Sequence, residues 1–356
     1  LRTAFLAVAD PVLEKYYFDL RCAVDAMDTF ANPLDTLQNS NARILDPTVR
    51  KIMDALNSDS FLHKRLFSAV MGSVSLLDME FDYERLLASI PAASQALEEA
   101  LSVIPHKATS MVKFVGQAHI DTAWLWPLRE TVRKVARTWS SQIGLIRRYP
   151  GYKFGASQAQ LYAYCKQFYP KLYAKVRKAV ADRLWEIQGG MWVEADCNIP
   201  SGESLVRQCL VGQRFFREEF GVVPRNLWLP DVFGYSGQLP QILRQCGIGF
   251  FLTQKLSWNR YNKFPHNSFV WEGIDGSRVV AHFPPEDTYN ADLMPDQLKN
   301  HETNNREAGI VDVAISLFGM GDGGGGPKEE HVERGLRCAA LNGCPPVAFG
   351  FAQDAM

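Results

Sequence analysis

His119, Ile120 and Asp121 place an imidazole and a carboxylate two residues apart. At the end of an extended strand such residues point to one side and can share a cation. The donor pair suits zinc (Zn2+) or another divalent ion such as Co2+. A histidine simply hydrogen-bonded to an acid is the plainer alternative. Two tryptophans follow in Thr122-Ala123-Trp124-Leu125-Trp126, and beside a metal-competent pair they suggest a wall that stacks on a sugar face, with core packing as the other reading. A second carboxylate, Asp231, stands between Pro230 and the Phe233-Gly234 turn. Rigid backbone of that kind is what a nucleophile requires, although an acid there also serves as a helix cap. The third, Asp322, lies in the glycine run from Gly319 to Gly326, where a mobile loop could carry a general acid/base or merely an incidental acid. Two separated carboxylates with a cation site form a constellation that serves glycosidic cleavage.

The elements that must position these groups are legible in the hydrophobic pattern. From about Tyr16 to Leu101 the chain is charged, poor in glycine and apolar at three and four spacing, as at Val49, Ile52, Met53 and Leu56, which predicts helices. Pro105 and the polar run after it mark a boundary near residue 106. Beyond it, short β-branched and aromatic runs alternate with amphipathic stretches, the pattern of βαβ units and a parallel sheet. Polar residues collect after seven successive strands: His119 and Asp121, Ser157 and Gln158, Glu194 and Asp196, Asp231, Gln254 and Lys255, Glu286 and Asp287, and Asp322. A barrel places its chemistry on such loops, so a closed, barrel-like α/β domain is expected. No dinucleotide fingerprint stands in the right context, and the glycine run lacks the ending of a P-loop. The division expected is a mainly helical region over 1–106, the barrel over 107–327, and the start of a following helical segment over 328–356.

Composition narrows the partners. The 356 residues carry 38 basic and 39 acidic side chains, a balance of −1 that gives no bulk attraction for nucleic acid. No apolar run reaches the roughly 18 residues that would read as a membrane span, and the opening Ala4–Ala9 run is cut off by Asp10 and Pro11, so neither a membrane partner nor a signal peptide is expected. The chain starts without methionine and stops within patterned sequence, as a piece of a longer protein would. Seven scattered cysteines without a C-x-x-C fit free thiols in a reducing compartment, hence a cytoplasmic location, with a vacuolar or lysosome-like one left open.

At these residues the sequence resembles glycoside hydrolase family thirty-eight, the retaining zinc-dependent α-mannosidases, in its cytosolic-type branch. The likeness runs from about Val115 to Phe349. It is carried by Gly116-Gln117-Ala118-His119-Ile120-Asp121-Thr122-Ala123-Trp124-Leu125-Trp126-Pro127, Leu229-Pro230-Asp231-Val232-Phe233-Gly234-Tyr235-Ser236, Thr253-Gln254-Lys255-Leu256-Ser257-Trp258-Asn259, His282-Phe283-Pro284-Pro285-Glu286-Asp287-Thr288-Tyr289-Asn290 and Gly319 to Pro327. The resemblance implies a seven-stranded β/α barrel in which His119, Asp121 and Asp231 bind one zinc ion. It further implies that Asp231 is the nucleophile forming a mannosyl-enzyme intermediate and Asp322 the acid/base. Trp124 and Phe233 would line the sugar subsite and Asp287 would accept hydrogen bonds from mannose hydroxyls. The implied partner is a mannose-containing oligosaccharide, such as one derived from free N-glycans, and a homo-oligomer is left open. The family's fourth zinc ligand is a histidine of a later motif than this chain reaches, and His301 and His331 stand in other contexts. A metal-dependent carbohydrate deacetylase using the same three ligands, and an inactive mannose-binding fragment, are the competing readings.

Overall fold

The computed structural model describes residues 10–31, 60–80, 82–104, 110–341 and 344–356. The helical expectation at Val49 to Leu56 lies outside these residues. The described helices are α1 (Pro11–Ala31), α2 (Ser60–Val74), α3 (Tyr83–Ser102), α4 (Leu128–Arg148), α5 (Ala159–Phe168), α6 (Pro170–Ala181), α7 (Gly202–Phe220), α8 (Leu239–Gln245), α9 (Pro295–Asn304) and α10 (Glu329–Ala340). The strands are β1 (Met111–Gln117), β2 (Phe154–Ala156), β3 (Trp185–Ile187), β4 (Asn226–Trp228), β5 (Phe250–Leu252), β6 (Ser268–Glu272), β7 (Arg278–His282), β8 (Val313–Phe318) and β9 (Val347–Phe349). None of these helices is long and apolar enough to cross a membrane.

The chain divides into two compact units. The first comprises Leu1–Ala108, Leu293–Asn300 and Leu336–Pro346. Its core joins Tyr16 and Ala23 of α1 to Ala69 and Val70 of α2 and Ile90, Ala93 and Leu97 of α3, the apolar stripes that the three and four spacing produces. Within that core Tyr16 bonds Ser73 at 2.8 Å, and Ser73 in turn donates to the Ala93 carbonyl at 2.7 Å, so the buried hydroxyls are satisfied.

The second unit comprises Thr109–Asp292, His301–Gly335 and Val347–Met356, and it has an α/β fold with a mainly parallel sheet arrangement. A closed seven-stranded barrel is not what its strands form. One sheet holds five strands in the order β3-β2-β1-β8, with β9 also pairing β1, and a second holds four in the order β4-β5-β7-β6. All pairs are parallel except the β6–β7 hairpin. At the two seams no strand-to-strand ladder forms, and side chains join the sheets beside isolated backbone bridges at Cys197–Tyr235 and Ala291–Phe318. Asn226 Oδ1 accepts the Gly189 N–H at 2.7 Å beyond β3, and His282 Nε2 accepts the Ile315 N–H of β8 at 3.1 Å. The expected helical segment after residue 327 contains α10, after which the chain returns to the sheet as β9.

Between the sheets lies an apolar plug drawn from both, with Val115 of β1, Trp228 of β4, Leu252 of β5 and Ile315 and Leu317 of β8. Helix α4 buries Thr131, Val135, Thr138, Trp139, Gln142 and Ile143, one face at helical spacing. Its buried polar residues have a specific task. Thr138 donates to the Gly324 carbonyl and Gln142 to the Pro327 carbonyl, the latter at 2.9 Å. The glycine run is thus pinned where sequence suggested mobility. It also closes on itself, since Met320 and Gly326 exchange backbone hydrogen bonds.

Candidate metal centre and sugar site

His119 and Asp121 follow β1, and Asp231 follows β4, so the first two come from one sheet and the third from the other. One donor atom from each lies within 4.8 Å of the others. His119 Nε2 stands 3.3 Å from Asp121 Oδ1 and 3.2 Å from Asp231 Oδ2. Its other nitrogen, Nδ1, is 3.0 Å from Glu194 Oε2, and Ser157 holds the second Glu194 oxygen at 3.0 Å. Three carboxylates therefore surround one buried imidazole. Burial opposes protonation there, but the charge of Glu194 and the hydrogen bonds to Asp121, Asp231 and Glu194 outweigh it and push His119 well above its usual range. Such an excess of negative charge calls for a cation, and one imidazole nitrogen with two carboxylate oxygens is a donor set that fits a divalent metal ion.

The second Asp231 oxygen meets Lys255 Nζ at 2.5 Å. Burial alone would raise the Asp231 carboxyl, yet hydrogen bonds from His119 and Lys255 hold it below the ordinary carboxylate range. Lys255 itself is enclosed by rings, with its Nζ 3.5 Å from the Trp258 centroid, 4.8 Å from Phe233 and 5.4 Å from Tyr289. This is a cation-π cage over the carboxylate. Phe233 and Trp258 touch edge to face and remain 66% and 62% exposed, an apolar surface open to a ligand.

Asp322 is joined to this centre through Tyr289, whose ring lies edge-on to His119 at 5.6 Å and whose hydroxyl reaches Asp322 Oδ1 at 3.4 Å. Burial, followed by the charges of Asp231 and Asp322, raises the Tyr289 phenol and keeps it protonated as a donor. Asp322 adopts φ 46°, in the left-handed region. Two of the glycines around it leave no room for a side chain. A Cβ on Gly319 would collide with the Gln117 carbonyl, and one on Gly324 with Ile120.

Trp124 and Asp287 are placed differently. Trp124 is half exposed on the loop after Asp121 and packs edge to face on Trp126 at 5.0 Å. Asp287 accepts a hydrogen bond at its backbone carbonyl from Gln254 at 2.7 Å, while its carboxylate lies 3.9 Å from Lys263. Among the described contacts neither touches the triad. The two histidines considered as a further ligand are engaged elsewhere, His301 with Glu286 at 2.6 Å and His331 with Asp292 at 3.0 Å. In sequence Glu194 stands out only as a polar residue near a strand end, Lys255 as another within a family motif and Tyr289 as a member of a family motif, none with a role assigned. Their roles in the centre depend on contacts across the sheets that no local spacing encodes.

Residues 109–355 match the N-terminal domain of the glycosyl hydrolases of family 38. The chain belongs to that family. Its relatives include alpha-mannosidase 2C1 of Homo sapiens, 50% identical over 232 residues, which make up 65% of this chain and 22% of that protein. An alpha-mannosidase of Saccharomyces cerevisiae is 40% identical over 344 residues, 96% of this chain and 30% of the relative. This family 38 chain thus spans less than a third of the length of either. Among solved structures, an alpha-mannosidase from Enterococcus faecalis V583 superposes with a TM-score of 0.57 at 18% identity, covering 69% of this chain and 29% of that one, a likeness of fold.

Proposed function

We propose that this chain carries the sugar-cleaving centre of a retaining α-mannosidase that removes terminal α-D-mannose from oligosaccharides. The observation that carries the reading is the meeting of His119, Asp121 and Asp231, from two different sheets, within a chain of this family. Asp231 is assigned as nucleophile. Its carboxyl is ionised at neutral pH, and Lys255 fixes its orientation until the sugar displaces that contact. Asp322 is assigned as the acid that protonates the leaving oxygen, and then as the base that removes a proton from the incoming water. Tyr289 orients Asp322 by donating to it. Trp124 and Phe233 offer rings to the apolar face of mannose, and Asp287 accepts from its hydroxyls.

His119, Asp121 and Asp231 would hold a zinc ion. When bound, zinc supplies a positive charge that grips sugar hydroxyls and favours a distorted, oxocarbenium-like ring. The Glu194 carboxylate, 3.0 Å from Nδ1, favours the tautomer with its proton there, so that Nε2 would present its lone pair to the cation. A cytoplasmic location belongs to the same reading, supported by the seven cysteines, all of which are free thiols.

Trapping with a fluorinated mannosyl fluoride, followed by peptide mass mapping, tests the assignment. An adduct on Asp231, with release of product of retained configuration, is expected. An adduct elsewhere, or inversion at the anomeric carbon, would overturn the mechanism. Deacetylation of an acetylated saccharide without glycoside cleavage would favour the deacetylase.

A further inference from the structure

Asp231, Lys255 and Asp287 lie beyond the C-terminal ends of the parallel strands β4, β5 and β7, and the N-terminal ends of the same strands carry a separate cluster. Arg225 immediately precedes β4, Arg244 lies in the last turn of α8, and Arg278 opens β7. With Phe250, Val270 and Val280 they line a cavity of about 590 Å³, a size typical of small-molecule sites. Arg278 is held by Glu272 at 2.6 Å. Among the described residues, Arg225 and Arg244 have no ion-pair partner. Three guanidinium groups thus face one cavity with a single carboxylate to offset them.

The floor is apolar for a reason of register. Val270 and Val280 are direct partners across the β6–β7 hairpin, and strand alternation sends Phe269 and Ala281 to the core side and these two valines outward. They remain 61% and 43% exposed, although valine on a sheet face is ordinarily covered. The chain linking α8 to β5 passes the cavity as Gly247-Ile248-Gly249, with Ile248 turned inward. Gly247 adopts φ +74°, and a Cβ there would meet nothing within 4 Å.

Guanidinium forks match phosphate oxygens in pairs, and two unpaired ones in a cavity favour a ligand with at least two phosphoryl groups over a single carboxylate. Inorganic phosphate would leave the valine wall uncovered. We propose that this cavity binds an organic diphosphate, with the phosphoryl groups engaging Arg225 and Arg244 and the ring or apolar portion lying on Val270, Val280 and Phe250. The site is distinct from the metal centre and independent of the proposed glycosidase activity.

Calorimetric titration with ADP and with pyrophosphate, both in the presence of a chelator, tests the assignment on the whole chain. ADP should bind saturably at one site, more tightly than pyrophosphate, and less tightly as salt rises. The Arg225→Gln/Arg244→Gln double variant should lose at least about tenfold in ADP affinity. Glu272→Gln, which frees the third guanidinium group, should gain affinity. Asp231→Asn, at the opposite strand ends, should bind ADP as wild type does. The altered arginines are exposed, so their replacement should leave the fold intact, as circular dichroism would verify. No ADP binding up to about 5 mM, or binding that survives the double substitution, would overturn the site. Pyrophosphate binding as tightly as ADP would overturn the role of the apolar wall.

Discussion

Glu194 offers the sharpest test of how the candidate metal centre is built. Its Oε2 lies 3.0 Å from His119 Nδ1, both side chains are buried, and Ser157 fixes the other oxygen. With a proton held on Nδ1 by the charge of Glu194 3.0 Å away, Nε2 is free to serve as a ligand. Glu194→Gln keeps an acceptor oxygen but loses the charge. Since a charge-assisted bond is roughly twice as strong as a neutral one, the loss should be about 1 kcal/mol, or roughly fivefold in zinc affinity. Glu194→Ala removes the carboxylate altogether and leaves Nδ1 in a buried site with no polar group beside it, at about 1–3 kcal/mol. Zinc affinity should then fall by about 10- to 100-fold. Competition against a chromophoric chelator measures both, and thermal unfolding in chelator checks that each variant folds. The order wild type, Gln, Ala is the prediction. An alanine variant that folds normally and binds zinc within about twofold of wild type would refute the orienting role.

His282 should make stability fall in acid. Burial, then the field of His301, lowers its pKa from 6.5 to about 4, and accepting the Ile315 N–H requires the neutral ring. Its contribution is complete above pH 6.5 and is lost as pH falls through 4, about 3 kcal/mol in all. Urea midpoints should drop over that range in wild type and drop less in His282→Gln. Trp124→Ala and Phe233→Ala should each raise KM for an aryl α-mannoside by about fivefold with unchanged urea midpoints, because both rings are largely exposed; a lost fold would point to core packing instead. Gly324→Ala should cost about 2–4 kcal/mol from a φ of +67° and overlap with Ile120, and should slow turnover by displacing Asp322, with a normal melting temperature as the contrary result.

The parallel α/β organisation was legible in the sequence, along with the polar residues that follow most of the parallel strands, because both depend on local periodicity. His119 and Asp121 were readable as a pair for the same reason, since two-residue spacing at a strand end fixes their common side. Asp231 joins them only through the relation between β1 and β4, which lie in different sheets. Glu194 and Lys255 complete the centre from two further strand ends, β3 and β5. No short spacing links these residues, and the family resemblance assigned no role to either, although Lys255 stands within one of its motifs. The antiparallel strand β6 went unrecognised, although Asp275-Gly276 separates its alternating run from that of β7 as a hairpin turn would. The extent of sheet closure was also unreadable. At Gly189 and Ile315 the partner of a backbone N–H is a side chain, Asn226 or His282, and hydrophobic pattern carries no information about such a substitution.

Those seams bear directly on the site. His119 and Asp121 move with the sheet that contains β1, while Asp231 and Lys255 move with the sheet that contains β4 and β5. The distance of Asp231 from the imidazole is therefore set by how the two sheets are held against each other. The apolar plug fixes their separation without direction, since dispersion and hydrophobic burial tolerate sliding. The hydrogen bonds of Asn226 and His282 are directional and restrict that sliding. A divalent ion held by His119, Asp121 and Asp231 would add a further tie across the same gap, at the functional end of the strands. Binding that requires both sheets in register stabilises the folded state by mass action, by about 2.7 kcal/mol at a free-ion concentration of 100 times Kd. The same linkage makes a weakened seam a weakened metal site, because every shift between the sheets is a change in ligand geometry.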